Sequence, residues 1–177
     1  MKLLWLDLET TGLDPENDQI LEIAASVADF HSPFDASPVY HGVVSLPADR
    51  HCTLDQFIIN MHTKNGLLPE CAVSTLFVEH AEEELLKIVP DAREKDEKWV
   101  LAGSSIHFDH SFLWVHMPRL ARRLSHRHYD VSAMKLLCES LGMPKFPKAE
   151  AHRAADDILE SIAHAKACAE WLRSLRS

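Results

Sequence analysis

Positive charge is scarce in this sequence of 177 residues: 18 Lys and Arg stand against 27 Asp and Glu, and the formal net charge is −9. Such an acidic chain offers no broad basic surface for holding a long nucleic acid, so no long duplex partner is expected. Cysteine is also scarce and no Cys-x-x-Cys pair occurs, which indicates reduced thiols in a cytosolic protein. The four cysteines are Cys52, Cys71, Cys138 and Cys168.

Long apolar runs are absent as well. No run reaches the roughly 20 residues that a membrane-spanning helix needs, and the first predicted strand begins too near the N-terminus for a signal peptide to precede it. We therefore expect no membrane partner and a cytoplasmic location. No internal repeat or low-complexity tract divides the chain, and its length and 46% hydrophobic content suit one domain, residues 1–177, with a sizeable core.

Two acids interrupt an apolar run near the N-terminus, in the stretch Leu3–Leu13. Asp7 and Glu9 are two residues apart, so in a β-strand both side chains would project from one face, while Leu6 and Leu8 enter the opposite layer. Neighbouring carboxylates repel each other unless positive charge lies between them, and hard divalent cations prefer oxygen ligands. The stretch therefore predicts a metal site; the alternative is a solvated strand end with acids placed by chance.

The rest of the chain predicts a mixed α/β sheet covered by helices. After the first strand, apolar patterns predict strands over 20–30, 39–46, 99–104 and 128–131. Helical patterns are present over 52–61, 74–89, 109–115, 132–142 and 153–175. The first three strands are expected to form an antiparallel meander, with a turn over 31–38. Ser74 and Ser132 are the predicted N-caps of their helices, and Pro90 follows the end of the helix that Ser74 begins.

Further acidic positions stand near predicted element ends. Asp109 follows a predicted buried strand, where ligand-binding residues gather in α/β folds. His152 stands at the start of the last predicted helix. A continuous helix would put Asp157 about 140° away from His152 and Asp156 on its face, whereas a His152 in the preceding loop would leave Asp157 free to face the same pocket. Spacing alone leaves both arrangements open, and favourable placement against the helix dipole would also explain the two acids.

Together these residues resemble a known family of nucleases. The pair Asp7-x-Glu9, the later Asp109 and His152-x4-Asp157 are similar to the DEDDh branch of the 3′→5′ exonucleases, and the flanking motifs resemble the oligoribonuclease family within it. These motifs, in the family's order, are Asp7-Leu-Glu-Thr-Thr-Gly-Leu-Asp-Pro15, His62-Thr63 before Gly66-Leu67, Ser105-Ile-His-Phe-Asp109 with Phe112-Leu113, Asp130-Val-Ser132, and Lys135. The resemblance implies an RNase H-like, DnaQ-like exonuclease fold, in which helices flank a mixed β-sheet.

The resemblance also implies a catalytic centre with two divalent cations, Mg²⁺ or Mn²⁺. The implied metal ligands are Asp7, Glu9, Asp109 and Asp157. This set favours Asp157 over Asp156 as the acid of the last helix. Two cations can stabilise both the attacking and the leaving oxygen of a displacement at phosphorus. His152 is implied as the general base for the attacking water, a role that suits an imidazole, whose ordinary pKa is about 6.5.

A pocket for very short single-stranded RNA is implied in the same way. Leu13 resembles an apolar wedge between two bases, and Phe57 and His62 resemble residues that stack on them. Plain core packing is the alternative for Leu13 and Phe57. The other implied substrate-binding residues are Ser105 and, around the 5′ phosphate, Arg127, Ser132 and Lys135. Arg127 is expected to reach across from the second subunit of a homodimer. Phe57 and His126 depart from the tryptophan and tyrosine that are usual in the family.

The expected activity is metal-dependent 3′→5′ hydrolysis of dinucleotides and other oligoribonucleotides to nucleoside 5′-monophosphates. A proofreading-type DNA exonuclease with the same active site is the first alternative. The sequence leaves both RNA and DNA open as substrates, because backbone groups can provide the contact that recognises the 2′-hydroxyl. A non-catalytic nucleic-acid-binding or scaffold protein on this fold is a second alternative. Such a protein would have no need for all five catalytic positions.

Overall fold

The computed structural model describes residues 1–47, 49, 54–91, 99–147 and 152–175. The elements in chain order are β1 (Lys2–Thr10), β2 (Ile20–Asp29), β3 (Ser32–Val43), α1 (Gln56–Lys64), α2 (Leu67–Val73), α3 (Val78–Ile88), β4 (Trp99–Gly103), α4 (His107–His116), α5 (Pro118–Arg123), β5 (Leu124–Asp130), α6 (Val131–Ser140) and α7 (Ala154–Ser174). Among these residues, no helix combines the length and the apolar character that crossing a membrane requires.

Five strands form one mixed sheet in the order β3-β2-β1-β4-β5. The first three strands pair antiparallel, which confirms the predicted meander, and β4 lies parallel to both β1 and β5. β4 pairs with β1 only from Leu3 to Trp5, so the second half of β1 continues past the end of its neighbour. Ligand sites in α/β folds gather at such strand ends, and this half of β1 carries Asp7 and Glu9.

Alternation along β1 separates two faces of the sheet. The even-numbered residues of Leu4–Leu8 pack with helices α3, α4 and α5. Leu3 and Trp5 pack on the opposite face, with α6 and α7. The two-residue period of a strand continues this second set through Asp7 and Glu9. Both carboxylates therefore lie on the face that α7 covers, which is the predicted separation of acids from leucines.

The hairpin between β2 and β3 is tighter than the sequence pattern predicts. β3 begins at Ser32, which pairs directly with Asp29, so only two residues form the turn. The turn predicted over 31–38 is therefore wrong. Pro33 and Pro38 favoured that prediction, yet they lie in an edge strand, where a missing N–H on the outer side removes no hydrogen bond between strands.

Both predicted helix N-caps, Ser74 and Ser132, are wrong. α3 begins at Val78 rather than Ser74, because Ser74 ends α2 and its hydroxyl donates to the carbonyl of Val43. The short helix α2 is absent from the predicted elements. α6 follows Asp130, whose carboxylate accepts a hydrogen bond from a main-chain N–H of the first turn. Asp130 is therefore the N-cap, and Ser132 lies inside the helix.

Candidate active site

Four carboxylates from three elements converge where β4 ends. β1 contributes Asp7 and Glu9, the first turn of α4 contributes Asp109, and the first turn of α7 contributes Asp157. One ligand atom from each of Glu9, His152 and Asp157 lies within 4.8 Å of the other two. Asp7 lines a cavity of about 350 Å³ together with His152 and Asp157. The structure thus brings together the five residues that the sequence motifs single out.

Asp109 is attached to β1 by a buried hydrogen bond. Its Oδ1 accepts the N–H of Leu8 at 2.9 Å. This N–H is available because β4, the neighbour of β1 on that side, pairs no further than Trp5. The bond places the Asp109 carboxylate beside Asp7, and the proximity of these two groups contributes to the raised pKa of Asp7.

His152 lies before the last helix, in a left-handed backbone conformation with φ of 46°. α7 begins two residues later, at Ala154, and Asn65 Nδ2 donates a hydrogen bond to the carbonyl of His152. Since His152 is outside the helix, it shares a cluster with Asp157. Asp156 is exposed on the first turn. This is one of the two arrangements that the spacing in the sequence left open.

Burial and mutual repulsion favour the protonated form of these carboxyl groups. Burial raises the pKa of Glu9 to about 8 and that of Asp109 to about 7. Burial, followed by the charges of Asp109, Asp157 and Glu9, raises the pKa of Asp7 well above its ordinary value. Burial also raises the pKa of Asp157, although His152 acts in the opposite direction. Four hard oxygen donors that repel one another fit a divalent cation, whose charge would remove the repulsion.

We expect a Glu9→Gln variant to become increasingly more stable than the metal-free parent protein as the pH rises from about 5 to about 8. The folded-state pKa of Glu9 lies above its ordinary value, so between these pH values the folded parent holds a proton that the unfolded chain has released, and its free energy of unfolding falls as the pH rises. Urea unfolding at a series of pH values measures the difference. The buried His164, whose pKa is lowered mainly by burial, is common to both proteins, so its contribution cancels in the comparison.

Added Mg²⁺ provides the control for this prediction. It should stabilise the parent protein more than the Glu9→Gln variant, because the variant has lost one anionic ligand. A difference in stability that stays constant across this pH range would contradict the raised pKa of Glu9.

Glu22 is absent from the predicted site residues, yet it holds part of the site together. It lies opposite Glu9 in the pairing of β1 with β2 and is fully buried. Its carboxylate accepts hydrogen bonds from Arg153, from Ala154 N–H and from His41 Nε2. Burial raises the pKa of Glu22, but these donors outweigh burial and leave the pKa below its ordinary value. The only signal in the sequence is one acid inside an otherwise apolar strand.

A second cavity, of about 470 Å³, opens beside Glu9 and His152 and is lined mainly by apolar side chains. Leu13 and Phe57 line it, and their exposed fractions are 83% and 68%, so core packing is wrong for both. Its other large apolar lining residues are Ile58, Met61 and Phe108. An apolar cleft of this size suits flat aromatic groups such as nucleobases.

The turn that presents Leu13 is supported from beneath by Asp18. The Asp18 carboxylate accepts hydrogen bonds from Thr11 Oγ1 at 3.0 Å and from Asp14 N–H at 2.9 Å. A Cβ atom on Gly12 would lie 2.3 Å from an oxygen of this carboxylate, so glycine leaves the space that Asp18 occupies. These bonds hold the turn in one shape while the Leu13 side chain extends from it.

His62 lies beneath the acidic cluster rather than on the surface of the apolar cavity. Its side chain is fully buried, and its Nε2 is 3.6 Å from Glu9 Oε2, longer than a hydrogen bond. Within the part of the chain that the structure describes, this Nε2 has no hydrogen-bond partner. Burial, followed by the nearby His152, lowers the pKa of His62. No face of the ring is open to a base, so the stacking role expected for His62 does not fit this structure.

The residues expected around a 5′ phosphate are divided between two locations. The Oγ atoms of Ser105 and Ser132 lie 3.0 Å apart. Lys135, one helical turn after Ser132, lines the cavity of about 350 Å³ that Asp7, His152 and Asp157 also line, which we call the polar cavity. Arg127 is exposed on β5, the edge strand at this end of the sheet. A single chain therefore pairs the two serine hydroxyls and places Lys135 in the cavity that Asp7 and Asp157 line, while Arg127 is exposed on β5.

Comparisons with known proteins agree with this geometry. A family model described as exonuclease, RNase T, matches residues 4–164. An oligoribonuclease from Aliivibrio fischeri is 37% identical over 174 residues, which cover 93% of this chain and 91% of that protein. The oligoribonuclease of Corynebacterium diphtheriae is 36% identical over 168 residues, 91% of this chain and 78% of the relative. A mitochondrial oligoribonuclease of Mus musculus is 35% identical over 170 residues, 91% of this chain and 69% of the relative.

Solved structures show the same fold. Exonuclease I of Escherichia coli in complex with a dT13 oligonucleotide superposes with a TM-score of 0.69 at 15% identity, covering 98% of this chain and 42% of that one. This chain thus spans less than half of the larger protein, and the likeness is one of fold. The expected RNase H-like, DnaQ-like exonuclease fold is confirmed. By the family match over residues 4–164 and the identity to oligoribonucleases along nearly the whole chain, the protein belongs to the RNase T family of exonucleases and, within it, to the oligoribonucleases.

Proposed function

We propose that this protein is a metal-dependent 3′→5′ exoribonuclease that hydrolyses dinucleotides and other very short RNA to nucleoside 5′-monophosphates. The observation that carries the proposal is the position of the acidic cluster, which lies between an apolar cavity of about 470 Å³ and a polar cavity of about 350 Å³. Bases can enter the first cavity and a phosphate the second. The membership in the oligoribonucleases supports RNA as the substrate class.

Two divalent cations, Mg²⁺ or Mn²⁺, are part of the proposal. The residues that would hold them are Asp7, Glu9, Asp109 and Asp157. Their carboxylates supply hard oxygen ligands, and burial, followed for Asp7 and Glu9 by repulsion from neighbouring carboxylates, raises their pKa values, an effect that bound cations would offset. The chemistry that bound cations supply here is stabilisation of negative charge on the attacking and leaving oxygens at phosphorus.

His152 would act as the general base. It lies beside Glu9 and Asp157 and lines both cavities, so a water held next to the scissile phosphate is within its reach. His152 accepts a proton from this water as the oxygen attacks phosphorus. The bond from phosphorus to the O3′ of the preceding nucleotide breaks, and O3′ takes a proton from solvent. The 3′-terminal nucleotide leaves as a nucleoside 5′-monophosphate.

The apolar cavity would hold the bases. Leu13 extends from its supported turn and can enter between two bases, and Phe57 offers an exposed ring on which one base can stack. Stacking on an aromatic side chain contributes roughly 1–3 kcal/mol per base. His62 is outside this proposed stack, because it is buried against Glu9.

The polar side of the site would bind the 5′ phosphate, and we propose that a second subunit completes it. The proposed residues are Ser105, Ser132, Lys135 and, from the second subunit, Arg127. A homodimer is supported by two features of the surface next to this site. β5 is an edge strand, and the adjacent α6 exposes Leu136 and Leu137, with the exposed Leu141 directly after its end. Exposed apolar side chains grouped on one element are typical of protein–protein contacts.

We also propose that residues 1–177 form a single exonuclease domain and that it acts in the cytoplasm. The one sheet and the family match over residues 4–164 support a single domain. Cys71, Cys138 and Cys168 are buried free thiols, which suits a reducing compartment. Cys52 lies outside the described residues. The name of the mouse relative includes the word mitochondrial, so the compartment is a property to be measured by fractionation.

Catalytic efficiency should fall as a 5′-phosphorylated RNA substrate grows from two to seven nucleotides. The cavities on either side of the acidic cluster are small, and a bound 5′ phosphate would close the polar end. A third nucleotide could then enter only if the 5′ phosphate gave up its contacts with Ser105, Ser132 and Lys135. Measuring kcat/KM for each length tests the proposal, and the same series in DNA separates it from a proofreading-type enzyme. Equal efficiency at two and seven nucleotides, or a preference for long DNA, would contradict it.

The 5′ phosphate itself provides the control for this experiment. Removing it from the dinucleotide should weaken binding by roughly 1.5–3 kcal/mol, the value of a charge-assisted hydrogen bond. Arg127→Ala should erase that difference and still allow cleavage. Arg122→Ala is the matched control, because Arg122 is also exposed and lies on α5.

A further inference from the structure

We propose that Glu22, Arg153 and Asn65 form a clamp that sets the position of His152, with Arg153 as a positioning residue for the reaction. This inference rests on the proposed function, in which His152 is the general base. The clamp is defined by these three side chains, none of which belongs to the expected metal or substrate residues. They approach His152 from β2, from the loop after α1 and from the residue next to it.

The backbone at His152 needs such a restraint. A φ of 46° is the left-handed conformation, which is unfavourable for a non-glycine residue, so His152 keeps it only where its neighbours are fixed. Asn65 Nδ2 holds the carbonyl of His152. In the two residues that follow, the Arg153 side chain and the N–H of Ala154 both bind the Glu22 carboxylate. His152 is thus held at its own carbonyl by Asn65 and, through the next two residues, by Glu22.

Arg153 joins the two sides of the clamp. Its Nε and Nη2 donate to Glu22 at 2.9 to 3.2 Å, and its Nη1 donates to the carbonyl of Asn65 at 3.3 Å. Nη1 and Nη2 also reach Glu70 of α2, at 3.1 and 2.8 Å. Loss of the guanidinium would release Asn65 and Glu22 together. The imidazole would then be free to move relative to Glu9 and Asp157.

The charge of Arg153 also matters for the acidic cluster. Glu22 lies opposite Glu9 across β1 and β2, and its negative charge is one of the causes of the raised pKa of Glu9. Arg153 pairs with Glu22 and directly precedes the first residue of α7. The clamp therefore keeps a guanidinium cation against a buried anion whose charge acts on the cluster.

A matched control is available in another part of the protein. Arg119 Nε binds the buried Glu82 at 2.7 Å, and the N–H groups of Arg119 and Leu120 donate to the same carboxylate. This pair holds the start of α5 as Glu22 and Arg153 hold the start of α7. Neither Arg119 nor Glu82 lines the two cavities. Arg119→Gln therefore reports what the loss of a helix-start ion pair does to stability alone.

The first comparison is Arg153→Gln against Arg119→Gln. Both variants should lower the urea midpoint of unfolding. Arg153→Gln should also reduce kcat on a 5′-phosphorylated dinucleotide by about tenfold to 100-fold, with KM within about threefold, because displacement of a catalytic group by 1 Å can cost about 10² in rate. Arg119→Gln should leave kcat within about twofold. If Arg153→Gln fails to fold, Arg153→Lys replaces it, and a partial loss is expected, since lysine cannot form the bidentate contact.

The second comparison is a double-mutant cycle with His152→Ala. If Arg153 acts through His152, adding Arg153→Gln to His152→Ala should change kcat by less than about threefold. In the metal-free protein, the His152 imidazole resonance, identified by its loss in His152→Ala, should shift in Arg153→Gln and stay unchanged in Arg119→Gln. Full additivity of the two substitutions, or an unchanged resonance, would overturn the clamp and leave the proposed function standing. A fully active His152→Ala would instead overturn the general-base assignment and the clamp with it.

Discussion

Replacing Asp157 with asparagine should lower turnover by at least about 10³-fold while leaving the metal-free protein no less stable. The catalytic loss follows because a bound cation supplies several kcal/mol of charge stabilisation and each 1.36 kcal/mol is tenfold in rate. The stability follows because the pKa of Asp157 is raised by burial, so its anionic form is disfavoured in the fold. Single-turnover assays on a 5′-phosphorylated dinucleotide with Mg²⁺ and urea unfolding without metal measure the two effects.

Asp156→Asn is the matched control for this substitution. Asp156 occupies the same helical turn but is exposed, so its variant should keep turnover within about twofold. Asp7→Asn should behave like Asp157→Asn, whereas Asp109→Ala should also destabilise the fold, because Asp109 accepts the buried N–H of Leu8. Normal turnover of Asp7→Asn or Asp157→Asn with Mg²⁺ or Mn²⁺ would remove these residues from the metal site.

Replacing His152 with alanine should reduce turnover by about 10²–10⁴-fold, the usual contribution of a general base. His152 lines both cavities and lies in the same cluster as Glu9 and Asp157, where it can reach a water beside the scissile phosphate. The dependence of the rate on pH should change in this variant, because a general base acts only in its unprotonated form. The measurement is kcat as a function of pH under saturating substrate and Mg²⁺.

His31→Ala is the control for the histidine substitution. His31 is exposed in the turn between β2 and β3, distant from both cavities, and its replacement should change neither kcat nor the pH profile. A His152→Ala enzyme that loses rate but keeps the parent pH profile would show that His152 contributes without acting as the base.

Local patterns were sufficient for the elements that depend on local physics. The two-residue period separated the acids of β1 from its leucines, and the observed faces of the sheet agree. The meander of the first three strands and the long last helix were also predicted, because each has enough apolar positions to define its period. The expected site residues meet in space because of where their elements begin and end. β1 carries Asp7 and Glu9 past the end of its pairing with β4, and Asp109 and Asp157 lie in the first turns of α4 and α7.

Positions that depend on distant partners were not predictable in this way. Ser74 has the side chain of an N-cap, but its hydroxyl binds Val43 of another element. His62 belongs to a recognisable motif, yet only the packing of α1 beneath β1 shows that its ring is buried. Leu13 and Phe57 are apolar residues that a pattern assigns to the core equally well. Their exposure depends on a turn held by Asp18 and on where α1 packs.

The sequence by itself determined the family, the mixed sheet and the identity of the four carboxylates and the histidine at the candidate active site. Each is encoded in short-range spacing and in residue types with few alternative roles. The tertiary structure alone decided that His152 precedes the last helix and shares a site with Asp157. The tertiary structure also decided that Glu22 of β2 is buried and is paired with Arg153, the residue after His152. The physical reason is that a left-handed residue and a buried ion pair are stable only when contacts from far along the chain, here from β2 and the loop after α1, hold them in place.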